Sequence, residues 1–151
     1  MRKLNLPEYQ HKIKTENSKE LIFDFIRKKY VALTPEEHVR QSFIKFLIEE
    51  KNYPKNLIGV EITVSINDMK KRADIVLYNR NGNVTMITEC KAPSVKITQK
   101  TIDQIARYNL ILKAELLFVT NGINHFCLQF DVKNQKYKFL KEIPDYNDGQ
   151  F

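Results

Sequence analysis

Arg72-Ala73-Asp74-Ile75-Val76-Leu77-Tyr78-Asn79-Arg80-Asn81-Gly82-Asn83-Val84-Thr85-Met86-Ile87-Thr88-Glu89-Cys90-Lys91 decides how the rest of this chain is read. Two runs rich in β-branched and apolar residues flank a polar turn, and Asn81-Gly82 tolerates the positive φ that a hairpin turn needs. The spacing predicts a β-hairpin. Three charges interrupt its strands: Asp74 in the first, Glu89 and Lys91 in the second. Strand side chains alternate, so Glu89 and Lys91 share a face and Cys90 points to the other, into the core. Pairing of the strands sets Asp74 beside the Glu89/Lys91 face. Charges on otherwise apolar strands are costly to bury without partners. A Glu-x-Lys triplet alone is ordinary surface in a chain that is 28% charged, so the flanking elements have to decide.

The chain has 151 residues, a length that suits one domain with one real core. It is 42% hydrophobic, an ordinary globular composition. Lys and Arg number 25 against 18 Asp and Glu, a net charge of +7. That balance is compatible with a nucleic-acid partner and equally with plain solubility. Two cysteines, Cys90 and Cys127, belong to no metal-binding cluster, so zinc is not expected and a reducing cytoplasm is. No apolar run approaches membrane-spanning length.

Upstream, residues 9–15 and 20–23 alternate loosely and suggest a small hairpin in an N-terminal extension of about 30 residues. Thr34-Pro35-Glu36-Glu37 is a helix start: Thr34 caps, Pro35 suits the first position, and Glu37 completes a capping box. This helix is expected to run to about Lys51, with Val39, Phe43, Phe46 and Leu47 as its apolar stripe. Steps of three, seven and eleven from Glu36 fall on Val39, Phe43 and Leu47, so Glu36 is expected to face Asp74 and Glu89 and Glu37 to serve the helix start. Residues 57–66 read as a strand. Downstream of Pro93, a helix begins at Thr98 or Thr101 and runs to about Lys113. Strands are expected over 116–120, 125–130 and 136–140, with a loose tail from about 141. The whole predicts one α/β domain over 1–151, a mixed sheet flanked by helices.

Five short motifs then stand in order: Thr34-Pro35-Glu36-Glu37-x-Val39-Arg40-Gln41, Arg72-Ala73-Asp74, Glu89-Cys90-Lys91-Ala92-Pro93, Gln104-x-x-x-Tyr108 and Thr120-Asn121-Gly122. Together they resemble the PD-(D/E)xK nuclease superfamily, and within it the N-terminal nuclease domain of type I restriction enzyme R subunits. Ala73 replaces the proline that often precedes the family's first aspartate, at a position without chemistry. The helicase motor of a full R subunit has no counterpart here. The resemblance implies a restriction-endonuclease-like fold and Mg²⁺- or Mn²⁺-dependent cleavage of DNA in restriction, defence or repair. It implies that Asp74, Glu89 and the Cys90 carbonyl hold the ion, with Glu36 directly or through a water. Lys91 would orient the attacking water or stabilise developing charge, and Gln104 and Tyr108 would position DNA or the lysine. Lys70, Lys71, Arg72, Lys96, Lys100 and Arg107 are candidate phosphate contacts. A separate motor or specificity subunit is a further expected partner. The alternative is a nucleic-acid-binding or assembly module of the same fold that does not cut.

Overall fold

The computed structural model describes residues 1–147. Strands β1 (Ile13–Glu16), β2 (Lys19–Asp24) and β3 (Lys29–Ala32) form a small antiparallel sheet in that order. Helix α1 (Pro35–Glu49) follows, then a 3₁₀ turn (Lys55–Leu57) and three consecutive strands: β4 (Ile58–Ile66), β5 (Met69–Tyr78) and β6 (Val84–Cys90). Helix α2 (Gln99–Leu112) crosses to β7 (Leu116–Thr120), and β8 (His125–Asp131) and β9 (Lys136–Leu140) close the chain. The last six strands make one mixed sheet in sequence order, with β6 and β7 parallel and every other neighbour antiparallel. The parallel pair needs a crossover, and α2 supplies it.

The helices lie on opposite faces of the large sheet. Val39, Phe43, Ile44 and Leu47 of α1 pack with Val60, Ile75, Leu77, Met86, Cys90 and Phe118. The Phe43 and Phe118 rings stack at 4.5 Å. Ile102 and Ile105 of α2 pack with Ala73, Val76, Ile87, Leu117 and Val119 in a second cluster. Cys90 is buried in the first core, on the α1 side.

One irregularity positions the site. In β5, Ile75 and Leu77 face α1, whereas Ala73, two residues earlier, faces α2. In β4 the same exchange occurs between Val60 and Ile62. These strands pair Val60 with Ile75 and Ile62 with Ala73, so Glu61 and Asp74 stand at the crossover of faces. Glu61 takes a left-handed φ of 52°, which turns the strand over without adding a residue. Asp74 therefore sits at the seam between the two cores.

The hairpin turn is longer than a two-residue one. Asn79 Oδ1 accepts from the backbone N–H of Asn81 and Asn83, and Gly82 takes the positive φ, 82°. α1 begins as expected, with Thr34 Oγ1 accepting from Glu37 N at 3.0 Å, and ends two residues early. The N-terminal extension carries a third strand, β3, where no strand was expected. The tail from 141 is docked rather than loose: Ile143 is buried, Tyr53 Oη donates to the Pro144 carbonyl, and Tyr146 N donates to the Lys51 carbonyl. Residues 148–151, also assigned to that tail, lie outside the described residues.

Candidate active site

Adjacent strands bring Asp74 of β5 and Glu89 of β6 together. Asp74 Oδ2 accepts from the Cys90 backbone N–H at 2.8 Å, and Oδ1 accepts from Arg40 Nη2 at 2.8 Å. Both oxygens of the aspartate are thus oriented by the fold. Glu89 turns to the α2 side, where it lines a small cavity with Lys71, Ala73, Ile87 and Tyr108. It is only 7% exposed. Burial, then the neighbouring charge of Asp74, push its carboxyl up to about 7, although the Lys71 ammonium works the other way. Lys71 Nζ lies 3.1 Å from Glu89 Oε1 and 4.0 Å from the centroid of the Tyr108 ring. Glu89 Oε1 is buried, and the Lys71 ammonium is its cationic partner.

Glu36 lies on the other side of Asp74, half-exposed at the first turn of α1. Burial and the charge of Asp74 raise its carboxyl, while Arg40 and Lys91 pull it down. Lys91 therefore stands in the field of Glu36. Its backbone N–H donates to the Thr120 carbonyl at 2.8 Å, fixing the end of β6 against β7. Among the described residues no three His, Cys, Asp or Glu side chains converge into a ready-made metal cage. Two carboxylates do meet, and hard oxygens of this kind suit a divalent cation that keeps water ligands.

Glu37 departs from the reading as a helix-start residue. Its backbone N–H is capped by Thr34, but its side chain is buried and takes no part in the cap. Instead Oε1 accepts from Arg40 Nη1 at 2.6 Å and Arg27 Nη2 at 3.1 Å, and Oε2 from Gln41 Nε2 at 3.1 Å. The buried arc of α1 is wider than the apolar stripe alone, because a ring of charges beneath Asp74 supplies polar partners for Glu37, Arg40 and Gln41. Arg27, Arg40, Gln41 and Glu61 were not among the residues assigned to the site. Buried Arg and Glu on facing elements leave no periodic signature.

Gln104 is exposed on α2, one turn before the half-buried Tyr108. Lys70, Arg72, Lys96, Lys100 and Arg107 are exposed, whereas Lys71 is turned inward to Glu89.

A family model described as the type I restriction enzyme R protein N terminus matches residues 35–144. The chain belongs to this family. The R-protein N-terminal match begins with α1 and ends in the docked segment after β9, leaving the small N-terminal sheet outside. Among solved structures, one is a fragment provisionally assigned as an HsdR subunit of a type I restriction enzyme from Vibrio vulnificus YJ016. It has 22% identity and a TM-score of 0.54, and the match covers 75% of this chain and 24% of that one. The likeness is one of fold, and the chain spans about a quarter of that relative. A second is a protein provisionally assigned as a nuclease of the DUF820 group from Anabaena variabilis ATCC 29413, with 14% identity, a TM-score of 0.44, and coverage of 91% and 80%. No curated protein matches the chain. By family this is a type I restriction enzyme R-protein N-terminal domain. Among the described residues no helix is long and apolar enough to cross a membrane.

Proposed function

We propose that this R-protein N-terminal domain hydrolyses phosphodiester bonds of DNA with a divalent metal, in a restriction, defence or repair setting. The observation that supports this best is the Asp74–Glu89 pair. One of its carboxylates is buried and carries a raised pKa, with burial and the charge of Asp74 as the causes. A cation between the two would relieve their repulsion, and an all-oxygen donor set favours Mg²⁺ or Mn²⁺. Asp74, Glu89 and the Cys90 carbonyl would hold it, leaving positions for water and a substrate phosphate. When bound, such an ion polarises the phosphate and supplies a more acidic water.

The remaining steps belong to the chain. Arg40 and the Cys90 N–H hold the plane of Asp74. Lys71, seated over the Tyr108 ring, pairs with Glu89. Lys91 orients the attacking water or neutralises charge that grows on the phosphate in the transition state. Glu36, between solvent and Asp74, accepts a hydrogen bond from a water at the site. Gln104 and the exposed Lys70, Arg72, Lys96, Lys100 and Arg107 meet DNA, and phosphate contacts of this kind supply affinity without sequence choice. Targeting and translocation would come from a separate motor or specificity subunit.

The test is direct. Purified protein should nick supercoiled plasmid with Mg²⁺ or Mn²⁺ and stop with EDTA, and Asp74→Ala should lose both cutting and Mn²⁺ binding. A wild type that binds DNA yet never cuts with either metal would move the assignment to a non-cleaving binding or assembly module.

A further inference from the structure

Arg27 lies in the turn between β2 and β3, outside the segment matched by the family. Its side chain is 15% exposed. Asp24, fully buried, sets the turn: Oδ1 accepts from the backbone N–H of Ile26 and Arg27 at 2.8 and 2.9 Å, and Oδ2 meets Arg27 Nε at 2.5 Å. So fixed, the guanidinium reaches two other elements. Nη2 donates to Glu37 Oε1 of α1 at 3.1 Å, and Nη1 to Glu61 Oε2 of β4 at 3.0 Å.

Arg40 meets the same two carboxylates, Glu37 at 2.6 Å and Glu61 at 3.6 Å. Arg27, Glu37, Arg40 and Glu61 therefore close a ring of alternating charge. Arg40 Nη2 then donates out of the ring to Asp74 Oδ1 at 2.8 Å. A single guanidinium cannot neutralise Glu37 and Glu61 and also serve Asp74. Arg72 is a weak substitute, 3.6 Å from Glu61 and 65% exposed, where solvent screens its charge.

We propose that Arg27 is a positioning residue for Asp74 acting through Arg40, and that the N-terminal sheet is thereby a working part of the site. Arg27 satisfies Glu37 and Glu61, which leaves the Arg40 guanidinium directed at Asp74. Without Arg27, the two glutamates draw Arg40 toward themselves, and Asp74 loses the donor that fixes Oδ1. The inference rests on the proposed role of Asp74 in binding metal.

The consequence has an unusual sign. Arg40 and a cation compete for Asp74, so Arg27→Gln should tighten Mn²⁺ binding by about three- to tenfold while lowering cleavage kcat by about tenfold or more, with KM for DNA unchanged. Arg27→Lys keeps the charge and should return the Mn²⁺ affinity most of the way to wild type. Arg40→Gln should abolish the effect of Arg27→Gln on Mn²⁺ affinity. Ile22→Val, a packing loss in the same small sheet, is the stability control. An Mn²⁺ affinity that is unchanged in Arg27→Gln, or that weakens as it does in the control, overturns the proposal. If wild type binds Mn²⁺ without cutting, the nuclease reading fails and the affinity measurements still decide the role of Arg27. If wild type binds no Mn²⁺, a metal-free urea cycle of Arg27→Gln with Asp74→Asn decides it. Non-additivity of about threefold or more in the unfolding constant supports coupling through Arg40, and additivity refutes it.

Discussion

Glu89→Gln tests the carboxylate pair without any nuclease assay. The Glu89 carboxyl is pushed up to about 7 by burial and by Asp74, from an ordinary value of 4.5. A carboxyl whose folded pKa lies above its unfolded one contributes stability that is whole below the unfolded value and lost as pH rises through the folded value. From pH 5 to pH 8, with about 1.4 kcal/mol per pH unit inside that window, metal-free wild type should lose on the order of 3 kcal/mol through this group. Glutamine does not titrate. The advantage of Glu89→Gln over wild type should therefore grow by about 3 kcal/mol between pH 5 and pH 8, roughly 6–12 °C in Tm for a domain of this size. The Lys71 ion pair forms only as Glu89 ionises, and its pull is already contained in the position of that carboxyl. His11, His38 and His125, whose pKa values burial lowers, titrate in both proteins and cancel. The assay is urea or thermal unfolding in EDTA at a series of pH values, then with Mn²⁺ added at pH 8. Mn²⁺ should recover stability in wild type and much less in Glu89→Gln. Parallel pH curves for the two proteins would refute the repulsion argument, and with it the main support for a cation at this site.

Lys91→Ala should lower cleavage by roughly 10²-fold or more, the scale for losing one transition-state charge partner, with DNA affinity nearly unchanged. A collapse of DNA binding with normal cleavage per bound complex would make Lys91 a binding residue instead. Glu36→Gln should damage cleavage and leave Tm nearly unchanged, since the side chain is 47% exposed. Glu37→Gln should instead cost stability, on the order of 3 kcal/mol, because Arg27 and Arg40 lose a shared buried carboxylate. Equal Tm for wild type and Glu37→Gln in denaturation scans would contradict the charge ring.

Much of the fold is written in local pattern. Thr34-Pro35 announces α1, Gly82 permits the hairpin turn, and the alternation along 57–66 and the apolar run 116–120 mark strands, because capping and burial patterns act over a few residues. The sequence also placed Asp74 and Glu89 side by side, since a hairpin joins positions 15 apart with little freedom. What it concealed depends on contacts between distant elements. Arg27-Lys28-Lys29 reads as a solvated charge run, yet Arg27 is tied to Glu61, 34 positions away. Glu37 matched a capping box so well that its burial against Arg40, Gln41 and the distant Arg27 went unread. Lys71 looked like one more cation for phosphate, but it lines the α2-side cavity with Ala73 and meets Glu89 there. The left-handed Glu61 breaks the alternation of two strands at once, and no glycine marks the place.

The docked segment after β9 bears on where this domain can be cut. Tyr146 holds the Lys51 carbonyl, just beyond the last turn of α1, while Arg27 holds Glu37 in the first turn. The helix that carries Glu36 and Arg40 is therefore pinned at each end by residues outside the span 35–144. Trimming the chain to its family boundaries would keep Glu36, Asp74, Glu89 and Lys91 but remove both pins and the Thr34 cap. The smallest recognisable unit is thus smaller than the smallest unit that holds its own active-site helix in register.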